Sequence, residues 1–508
     1  GPCGGCHVPH NGRQARMWAR EVVGMEDPVS LLCKSCHAEG RPAALKQTGK
    51  FSHPVGVQIS KTGIKPIDKD RWVEGNRIRF GSSTSFLTVK PLPLFDEEGR
   101  KSPDGNVTCA TCHNPHQWDP NVVKEGPGKD VEGDGTNSFL RVANNPDSAL
   151  CRNCHLQRSV VFSKHNIGIS APEEKNGPGS KVSETGPCSA CHLPHNGNGM
   201  KMWARKLGGG MEDPISQLCK NCHSKGSLAE KKTVGDNSHP LNVTLAKVGG
   251  ESILPLFAEN GVKAGKDGKV FCATCHNVHQ WEAGDPNSTA GARKDVEGDM
   301  ASSFLRVSPT PEGEICADCH KDKRFVKRTK HDLNISAPQA VNILGRTVTQ
   351  SGTCGVCHAV HNSQEKSRLW ARKMGEGDDI PEMRCRSCHA LGEIAEKKMP
   401  KNFKHPKSVI ASSVGRGKKG DFPLYNKEGD LKESGVITCP TCHNPHQWSA
   451  VKKDFGPGKM TEGDIKDSFL RNLSPSILCS DCHGLDSLFR YKYFHGDTSR
   501  KKYPLYGQ

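Results

Sequence analysis

Apolar residues occur along this chain in runs of only a few positions, separated by charged, glycine-rich or proline-rich stretches. No run approaches the roughly 20 apolar residues of a membrane-spanning helix, and there is no apolar segment of a secretion signal. The pattern predicts short helices around the cysteine motifs, a few short strands such as residues 241–245, and mostly irregular backbone rich in turns. We therefore expect little regular secondary structure.

The composition does not favour an ordinary protein core. Only 34% of the 508 residues are hydrophobic and 6% are aromatic, while Gly (54) and Pro (33) are abundant. An average globular domain is nearer half apolar. Either the chain is largely disordered, or something other than protein fills its interior.

The cysteines follow one pattern without exception. All 24 belong to Cys-x-x-Cys pairs, and a histidine follows each pair directly. The twelve motifs are Cys3/Cys6/His7, Cys33/Cys36/His37, Cys109/Cys112/His113, Cys151/Cys154/His155, Cys188/Cys191/His192, Cys219/Cys222/His223, Cys272/Cys275/His276, Cys316/Cys319/His320, Cys354/Cys357/His358, Cys385/Cys388/His389, Cys439/Cys442/His443 and Cys479/Cys482/His483.

This pattern is the attachment signature of c-type haem, in which two thioethers hold the porphyrin and the histidine is the proximal iron ligand. Zinc ribbons also use Cys-x-x-Cys pairs but need no histidine after every pair. A disulfide framework would not keep one spacing throughout so long a chain. The sequence therefore predicts twelve covalently attached haems c, which would themselves form the core.

The remaining histidines match the number of irons. Twelve are left over, one for the sixth position of each iron, whereas the ten methionines do not recur at fixed offsets. A lone histidine is ordinarily a solvated or core side chain, but the equal numbers favour bis-His ligation throughout. The predicted distal ligands are His10, His53, His116, His165, His195, His239, His279, His331, His361, His405, His446 and His495.

Six of these distal histidines stand three residues after a proximal histidine: His10, His116, His195, His279, His361 and His446. Three extended residues reach at most about 10–11 Å, and one helical turn only about 5 Å. Two imidazoles on opposite faces of one haem hold their Cα atoms about 12 Å apart, so the second histidine cannot bind the haem of its own motif. We therefore expect each to bind a neighbouring haem and to hold two haems close together.

The chain repeats three times, which predicts tetrahaem modules at residues 1–180, 181–346 and 347–508. In each, the first and third motifs carry the His-x-x-His extension and the second and fourth do not. Other landmarks recur between the motifs. They are Trp-Ala-Arg (Trp18, Trp203, Trp370), His-Pro (His53, His239, His405), Phe-Leu-Arg (Arg141, Arg306, Arg471) and a closing histidine (His165, His331, His495). We expect the tryptophans to pack on porphyrin edges rather than to relay electrons, and the arginines either to pair with propionates or to be solvated.

The formal charge of +16 would ordinarily suggest a nucleic acid or an anionic membrane as partner. Each bis-His haem adds about −1 when ferric and about −2 when ferrous, which brings the holoprotein to about +4 or about −8. The basic residues are then mainly counter-ions to propionates, and we expect no nucleic-acid partner.

Two histidine ligands at every iron would also exclude some classes of function. Reduction of nitrite or peroxide needs an open iron position, so we expect no enzymatic activity. Histidine in place of methionine lowers the reduction potential. Thioether attachment takes place on the oxidising side of a prokaryotic membrane, so we expect an exported protein whose signal peptide has been removed. Its predicted location is extracellular or at the cell surface, with the periplasm as second choice.

The chain resembles the multihaem c-type cytochromes of metal-reducing bacteria, above all those that polymerise into extracellular filaments. The resemblance rests on Cys-x-x-Cys-His-x-x-His-Asn, Trp-Ala-Arg and Cys-x-Thr-Cys-His-Asn-x-His-Gln-Trp, and it covers essentially the whole chain. It implies a continuous haem stack, redox donor proteins as partners, and electron export to minerals, electrodes or partner cells. Three tandem tetrahaem modules are a departure from the known filament subunits, which carry fewer haems.

The module seams lead to the same hypothesis independently. His165 precedes Cys188 by 23 residues, and His331 precedes Cys354 by 23. We expect each closing histidine to help bind the first haem of the next module, and His495 to bind the Cys3/Cys6 haem of another copy, which would give a head-to-tail filament. The alternatives are that closing histidines stay within their modules and that the protein is a monomeric periplasmic or surface-attached dodecahaem carrier.

Overall fold

The structure is a computed structural model that describes residues 1–13, 15–24, 26–61, 73–74, 77–79, 86–88, 92–122, 126, 131–155, 158–207, 213–245, 252–283, 303–400, 405–410, 422–450, 468–472 and 478–483. Its α-helices are only four to eight residues long. They are α1 (Pro28–Lys34), α2 (Cys109–Cys112), α3 (Ala149–Arg152), α4 (Arg158–Val161), α5 (Ile167–Ser170), α6 (Val182–Thr185), α7 (Pro214–Lys220), α8 (Cys272–Cys275), α9 (Glu314–Ala317), α10 (Leu333–Ser336), α11 (Val348–Gly355), α12 (Ile380–Arg386), α13 (Cys439–Cys442) and α14 (Leu478–His483).

Short 3₁₀ helices supplement them at Pro2–Gly5, Ala15–Met17, Ala44–Lys46, Ile59–Lys61, Pro187–Ala190, Met200–Met202, Glu230–Lys232, Gly265–Asp267, Lys321–Val326, Ser367–Leu369 and Glu396–Lys398. The strands are β1 (Val57–Gln58), β2 (Val73–Glu74), β3 (Arg77–Arg79), β4 (Phe86–Thr88), β5 (Asn106–Val107), β6 (Val243–Thr244), β7 (Lys269–Val270), β8 (Val409–Ile410) and β9 (Val436–Ile437). They pair antiparallel as β1–β5, β2–β3–β4, β6–β7 and β8–β9. The predicted fold class, mostly irregular with short helices and strands, is confirmed.

The helices that carry the second motif of each module begin at an aspartate. The carboxylate of Asp27 accepts a hydrogen bond from the amide of Ser30 at 2.8 Å, and Asp213 and Asp379 cap α7 and α12 in the same way at 2.6 and 2.7 Å. An aspartate cap satisfies one of the free amides of the first turn. Each of these Asp residues therefore fixes where a motif helix starts.

The third-motif helices are only one turn long and are held by threonine. The hydroxyl of Thr111 accepts from the amide of Thr108 at 3.0 Å, and Thr274 and Thr441 repeat this contact at α8 and α13. These threonines are almost completely buried. The cysteines and histidine of the motif thus sit on a rigid single turn.

Buried apolar side chains form small separate groups rather than one core. Within the described residues each group contains three buried members, such as Ile215, Phe257 and Phe271. So little apolar burial agrees with the expectation that another group fills the interior. No helix in the described part of the chain is long and apolar enough to cross a membrane. The module boundaries near 180 and 346 stay a prediction.

Candidate haem-ligating site

The backbone of each motif closes one turn that sets its cysteines and histidine side by side. In the first eleven motifs the amide of the histidine donates to the carbonyl of the first cysteine, at 2.8–3.1 Å. None of the 24 cysteines forms a disulfide. Both thiols of every motif are therefore available for the thioether bonds that the sequence predicts.

The second cysteines of modules 1 and 2 are held by the same backbone contacts. The carbonyls of Cys6 and Cys36 accept from the amides of Ala19 and Ala43, each at 2.9 Å, and their amides donate to the first cysteine of their own motif at 3.1 Å. The carbonyl of Cys191 accepts in the same way from Ala204 at 2.8 Å, and burial raises the pKa of its thiol to about 12. The structure thus fixes the main chain of Cys6 and Cys36 but shows no hydrogen bond from either thiol within the described residues. Their attachment to haem stays a prediction that rests on the motif.

Hydrogen bonds to the rings determine which nitrogen of several histidines can bind a metal. Nδ1 of His7 donates to the carbonyl of Arg16 at 2.8 Å, and His192 and His358 make the equivalent bonds at 2.7 and 2.6 Å. The His-Pro histidines donate to the carbonyl of the following proline, at 2.8–3.0 Å (His53, His239, His405). A carbonyl only accepts, so Nδ1 carries the hydrogen and Nε2 keeps its lone pair.

The histidine rings face each other in pairs, each made of one predicted proximal and one predicted distal ligand. Their ring centres lie 6.0–6.3 Å apart. The ten pairs, proximal residue first, are His7–His116, His113–His195, His155–His53, His192–His279, His223–His165, His276–His361, His320–His239, His358–His446, His389–His331 and His483–His405.

This spacing fits one iron between each pair of rings. A ligating nitrogen lies about 2.0 Å from a transition metal and about 1.1 Å from its own ring centre, so two rings across one metal are about 6.2 Å apart. Two imidazoles in direct contact would be closer. The chemistry of the donor set, with two thiols beside each proximal ring, fits a covalently attached haem.

Within a module two pairing rules hold. The proximal histidine of the first motif faces the distal histidine that extends the third motif, as His192 faces His279. The proximal histidine of the fourth motif faces the His-Pro histidine, as His320 faces His239. The extension histidine faces a motif other than its own, as the reach of three residues predicts.

Across a seam two further rules hold, one in each direction. The extension histidine of a module's first motif faces backward to the third motif of the preceding module, so His195 faces His113 and His361 faces His276. A closing histidine faces forward to the second motif of the next module. His165 thus faces His223, and His331 faces His389.

The expectation that a closing histidine helps bind the first haem of the next module is therefore wrong. The constant spacing of 23 residues shows only that both seams are alike, and it fits any contact that they share. The proximal histidine of each first motif already faces a histidine from the third motif of its own module, as His192 faces His279 and His358 faces His446. His495, the third closing histidine, lies outside the described residues. The haem at Cys3/Cys6 is also a wrong target for it, because His7 faces His116.

Three predicted ligands in the described part of the chain face no second imidazole. They are His10, which is distal, and His37 and His443, which are proximal. His10 and His37 belong to module 1, and His443 belongs to module 3. Their counterparts elsewhere in the chain are paired with a histidine of a neighbouring module.

Burial keeps the distal rings in the form that can bind a metal. It lowers the pKa of five of them to about 4 and that of His446 to about 3, so all are neutral at pH 7 (the five are His165, His195, His279, His331 and His361). A neutral imidazole is the metal-binding species.

The recurring tryptophans pack edge-on against proximal rings. Trp203 meets His192 with 6.1 Å between ring centres at 86°, and its Nε1 donates to Asn221 on the next motif at 2.7 Å. Trp18 and Trp370 make the same ring contact in their modules. The tryptophans thus hold the proximal imidazole in place, which agrees with a packing role.

The recurring arginines hold the third motif. Nε of Arg141 donates to the carbonyl of Ala110 at 2.6 Å, and Arg306 and Arg471 repeat the bond at 2.9 and 2.7 Å. These half-buried side chains are therefore anchored to the motif turn rather than simply solvated. Their pairing with propionates stays a prediction.

Thiols of consecutive motifs lie next to each other. The first cysteine of a second motif contacts that of the third motif, as Cys219 contacts Cys272, and contact with Cys272 raises the pKa of Cys219. The first cysteine of a fourth motif contacts that of the next module, as Cys316 contacts Cys354. Groups attached at these thiols would therefore lie beside each other at these two kinds of step.

The sequence did not reveal how the Asn after each first-motif extension is used. Nδ2 of Asn196 donates to the carbonyl of Gln47 in the preceding module, and Nδ2 of Asn362 donates to that of Thr233, each at 3.0 Å. The recurrence of His-x-x-His-Asn was the available signal, but it carries no information on the partner.

Comparison with known proteins gives a limited match. Residues 1–42 and 181–228 match the family model described as the doubled CXXCH motif. Each span contains the first and second motifs of a module. No match was found among curated proteins or among solved structures. The paired motifs and their cysteine spacing indicate a multihaem c-type cytochrome that carries covalently bound haem c and takes part in electron transfer.

Proposed function

We propose that this chain is a dodecahaem c-type cytochrome that conducts electrons through bis-His, low-spin haems. The ten imidazole pairs carry the proposal, because each has the spacing of two ligands on one iron and includes a motif histidine. The thiol contacts between second and third motifs, and between a fourth motif and the next module, support short distances between the haems at these steps.

The haem supplies a one-electron iron couple, and the protein sets its potential and position. Two neutral imidazoles at each iron stabilise the ferric state relative to a methionine ligand, so the potentials are low. With both axial positions filled, no iron is open to a substrate, so the protein is not an enzyme. Donors and acceptors then exchange electrons at exposed haem edges without a binding pocket.

We also propose that copies assemble head to tail into an extracellular or cell-surface filament, which accepts electrons from redox proteins and passes them to minerals, electrodes or partner cells. The support is the repeated seam, whose two internal copies already join modules without closing a ring. An asymmetric contact of this type extends indefinitely when repeated between molecules.

The haem proposal is tested by counting covalent haems in the purified protein and by recording its spin state. Twelve haems per chain, low-spin when the protein is assembled, are expected. Substantially fewer haems, or high-spin iron at many sites, would contradict the proposal. Negative-stain microscopy of the same sample distinguishes filaments from the compact particles of a monomeric periplasmic carrier.

A further inference from the structure

Each seam between modules contains a four-residue segment that begins two residues after a first motif, and we name it the clasp. It comprises residues 194–197 in module 2 and residues 360–363 in module 3. The second residue of each clasp is the extension histidine, which faces a proximal histidine of the preceding module across 6.0 or 6.2 Å. Each clasp thus provides the distal ligand of one proposed iron.

The clasp of module 2 also holds the backbone of a second distal ligand, His53. The carbonyl of Pro194 accepts from the amide of His53 at 2.7 Å. The amide of Gly197 donates to the carbonyl of Phe51 at 2.9 Å, so the clasp lies alongside the residues that lead to this ligand. His53 faces His155, the proximal histidine of the fourth motif, across 6.1 Å. One segment therefore contacts the ligand sets of two different irons in module 1.

The third residue of this clasp, Asn196, makes three hydrogen bonds to module 1. Its Oδ1 accepts from the amide of Gly49 at 2.5 Å, and its Nδ2 donates to the carbonyl of Gln47 at 3.0 Å. Its own amide donates to the hydroxyl of Ser52 at 3.1 Å. The asparagine thus joins the residue after one distal ligand to the segment before another.

The clasp of module 3 makes the same contacts with module 2. The carbonyl of Val360 accepts from the amide of His239 at 2.8 Å. Oδ1 of Asn362 accepts from the amide of Gly235 at 2.7 Å. His239 faces His320, the proximal histidine of the fourth motif, across 6.3 Å. The two clasps share only their histidine and asparagine, so these two residues and the backbone are enough to form the arrangement.

The asparagine lies opposite a glycine at both seams. A Cβ on Gly49 would lie 2.8 Å from Oδ1 of Asn196, and a Cβ on Gly235 would lie 2.9 Å from Oδ1 of Asn362, closer than side chains approach. The two asparagines also share a left-handed backbone, with φ of 54° and 53°, which asparagine tolerates better than most residues. Asparagine and glycine therefore suit this contact at both seams for the same physical reasons.

We infer that Asn196 and Asn362 are positioning residues for two irons each. Each asparagine holds the distal imidazole of its own clasp and, through the clasp, the distal imidazole of the fourth-motif iron in the preceding module. The inference rests on the proposed function, since both irons require their haems. A module thereby secures two axial bonds in the module before it.

Binding of carbon monoxide to the reduced holoprotein tests this role. A distal histidine that dissociates leaves a ferrous iron open to carbon monoxide, so the apparent affinity reports the fraction of open iron. Asn196→Gly removes two side-chain hydrogen bonds and keeps the left-handed backbone accessible. The carbon monoxide concentration for half-saturation is expected to fall about tenfold or more at two of the twelve irons, those of His113 and His155.

Two comparisons separate this effect from others. His195→Ala removes one ligand outright and should open one iron only, because the clasp keeps its asparagine. Asn198→Gly introduces the same residue at an exposed position of the same loop, where the backbone amide bonds to Trp203, and should bind carbon monoxide as the wild type does.

The second seam gives a further count. Asn362→Gly should affect two other irons, and the double variant with Asn196→Gly should affect four, because distant sites act independently.

A variant in module 1 tests the same contact from the other side. Gly49→Ala places a Cβ against Oδ1 of Asn196 and should raise the carbon monoxide affinity of the same two irons. Asn196→Asp keeps an acceptor for the amide of Gly49 and should lie closer to the wild type than Asn196→Gly does.

Two results would overturn the inference. One is an Asn196→Gly or Gly49→Ala holoprotein with the carbon monoxide affinity of the Asn198→Gly control. The other is a change confined to one iron, which would mean that the clasp does not act on His53. Failure of the proposed function gives a different result, since the wild type itself would then lack most of its haems or show high-spin iron at internal pairs.

Discussion

The imidazole pairs of the odd-numbered motifs differ from those of the even-numbered motifs in the angle between their rings. At first and third motifs the two rings are 20–31° apart, close to parallel. At second and fourth motifs they are 56–78° apart, closer to perpendicular. Among the ten described pairs the two kinds follow the motif number without exception.

The origin of the difference is the segment that provides the distal ligand. Odd-numbered motifs always receive a histidine from a His-x-x-His extension, which lies directly after a motif turn. Even-numbered motifs receive either a His-Pro histidine or a closing histidine. Ring orientation is one of the ways in which a protein tunes a haem electronically, so the proposed irons form two alternating electronic classes.

The largest expected effect comes from removing one ligand of each class. Parallel rings separate the energies of the two iron orbitals that carry the unpaired electron, whereas crossed rings leave them nearly equal, which makes the spectrum more anisotropic. His279→Ala should therefore remove about one sixth of the rhombic low-spin EPR signal of the assembled protein, and His239→Ala about one sixth of the strongly anisotropic signal.

Each variant serves as the control for the other, because both leave eleven proposed bis-His irons. Both should also gain one high-spin site that binds carbon monoxide when reduced. A single EPR population in the wild type, or loss of the same signal in both variants, would contradict the assignment of two classes.

An intermediate effect is expected at Phe304, whose ring packs against His165 of a pair with steeply inclined imidazoles. Phe304→Ala removes the buried ring against His165 and should lower the free energy of unfolding by about 3 kcal/mol. Phe139→Ala, at the equivalent position of module 1, where the side chain is 40% exposed, should cost less than about 1 kcal/mol. Urea unfolding followed by haem absorbance measures both. An equal loss of unfolding free energy in both variants would show that the contact between Phe304 and His165 does not stabilise the protein.

The smallest effect is expected at a helix cap of an even-numbered motif. Asp213→Ala removes the cap of α7, which leads into the motif of His223, and should lower the free energy of unfolding by about 1 kcal/mol. Asp213→Asn keeps an acceptor at the same position and should remain close to the wild type. The rhombic EPR signal should not change in either variant, since α7 belongs to a crossed pair. A change in that signal would mean that the two classes are mechanically coupled.

Local features could be predicted from the sequence because they depend on neighbouring residues. The turn at each motif, the strand at Val243–Thr244 and the inability of His116 to face its own motif all follow from short-range chain geometry. The number of distal histidines also matched the number of motifs. These predictions needed no knowledge of how distant segments meet.

The pairing itself could not be predicted, because it depends on long-range packing. The 23 residues between His165 and Cys188 indicate that both seams are alike, but not that His165 faces His223 rather than His192. The use of Asn196 was missed for the same reason. Its partners lie about 150 positions earlier in the chain, as in the bond from Asn196 to Gln47, which spans 149 positions.

The thiol contacts between consecutive motifs give the molecule a direction. Its attachment points succeed one another in one sense, from a second motif to a third and from a fourth motif to the first motif of the next module. Duplicating or deleting one whole module in the gene would then add or remove one set of four predicted attachment sites while keeping both kinds of thiol contact.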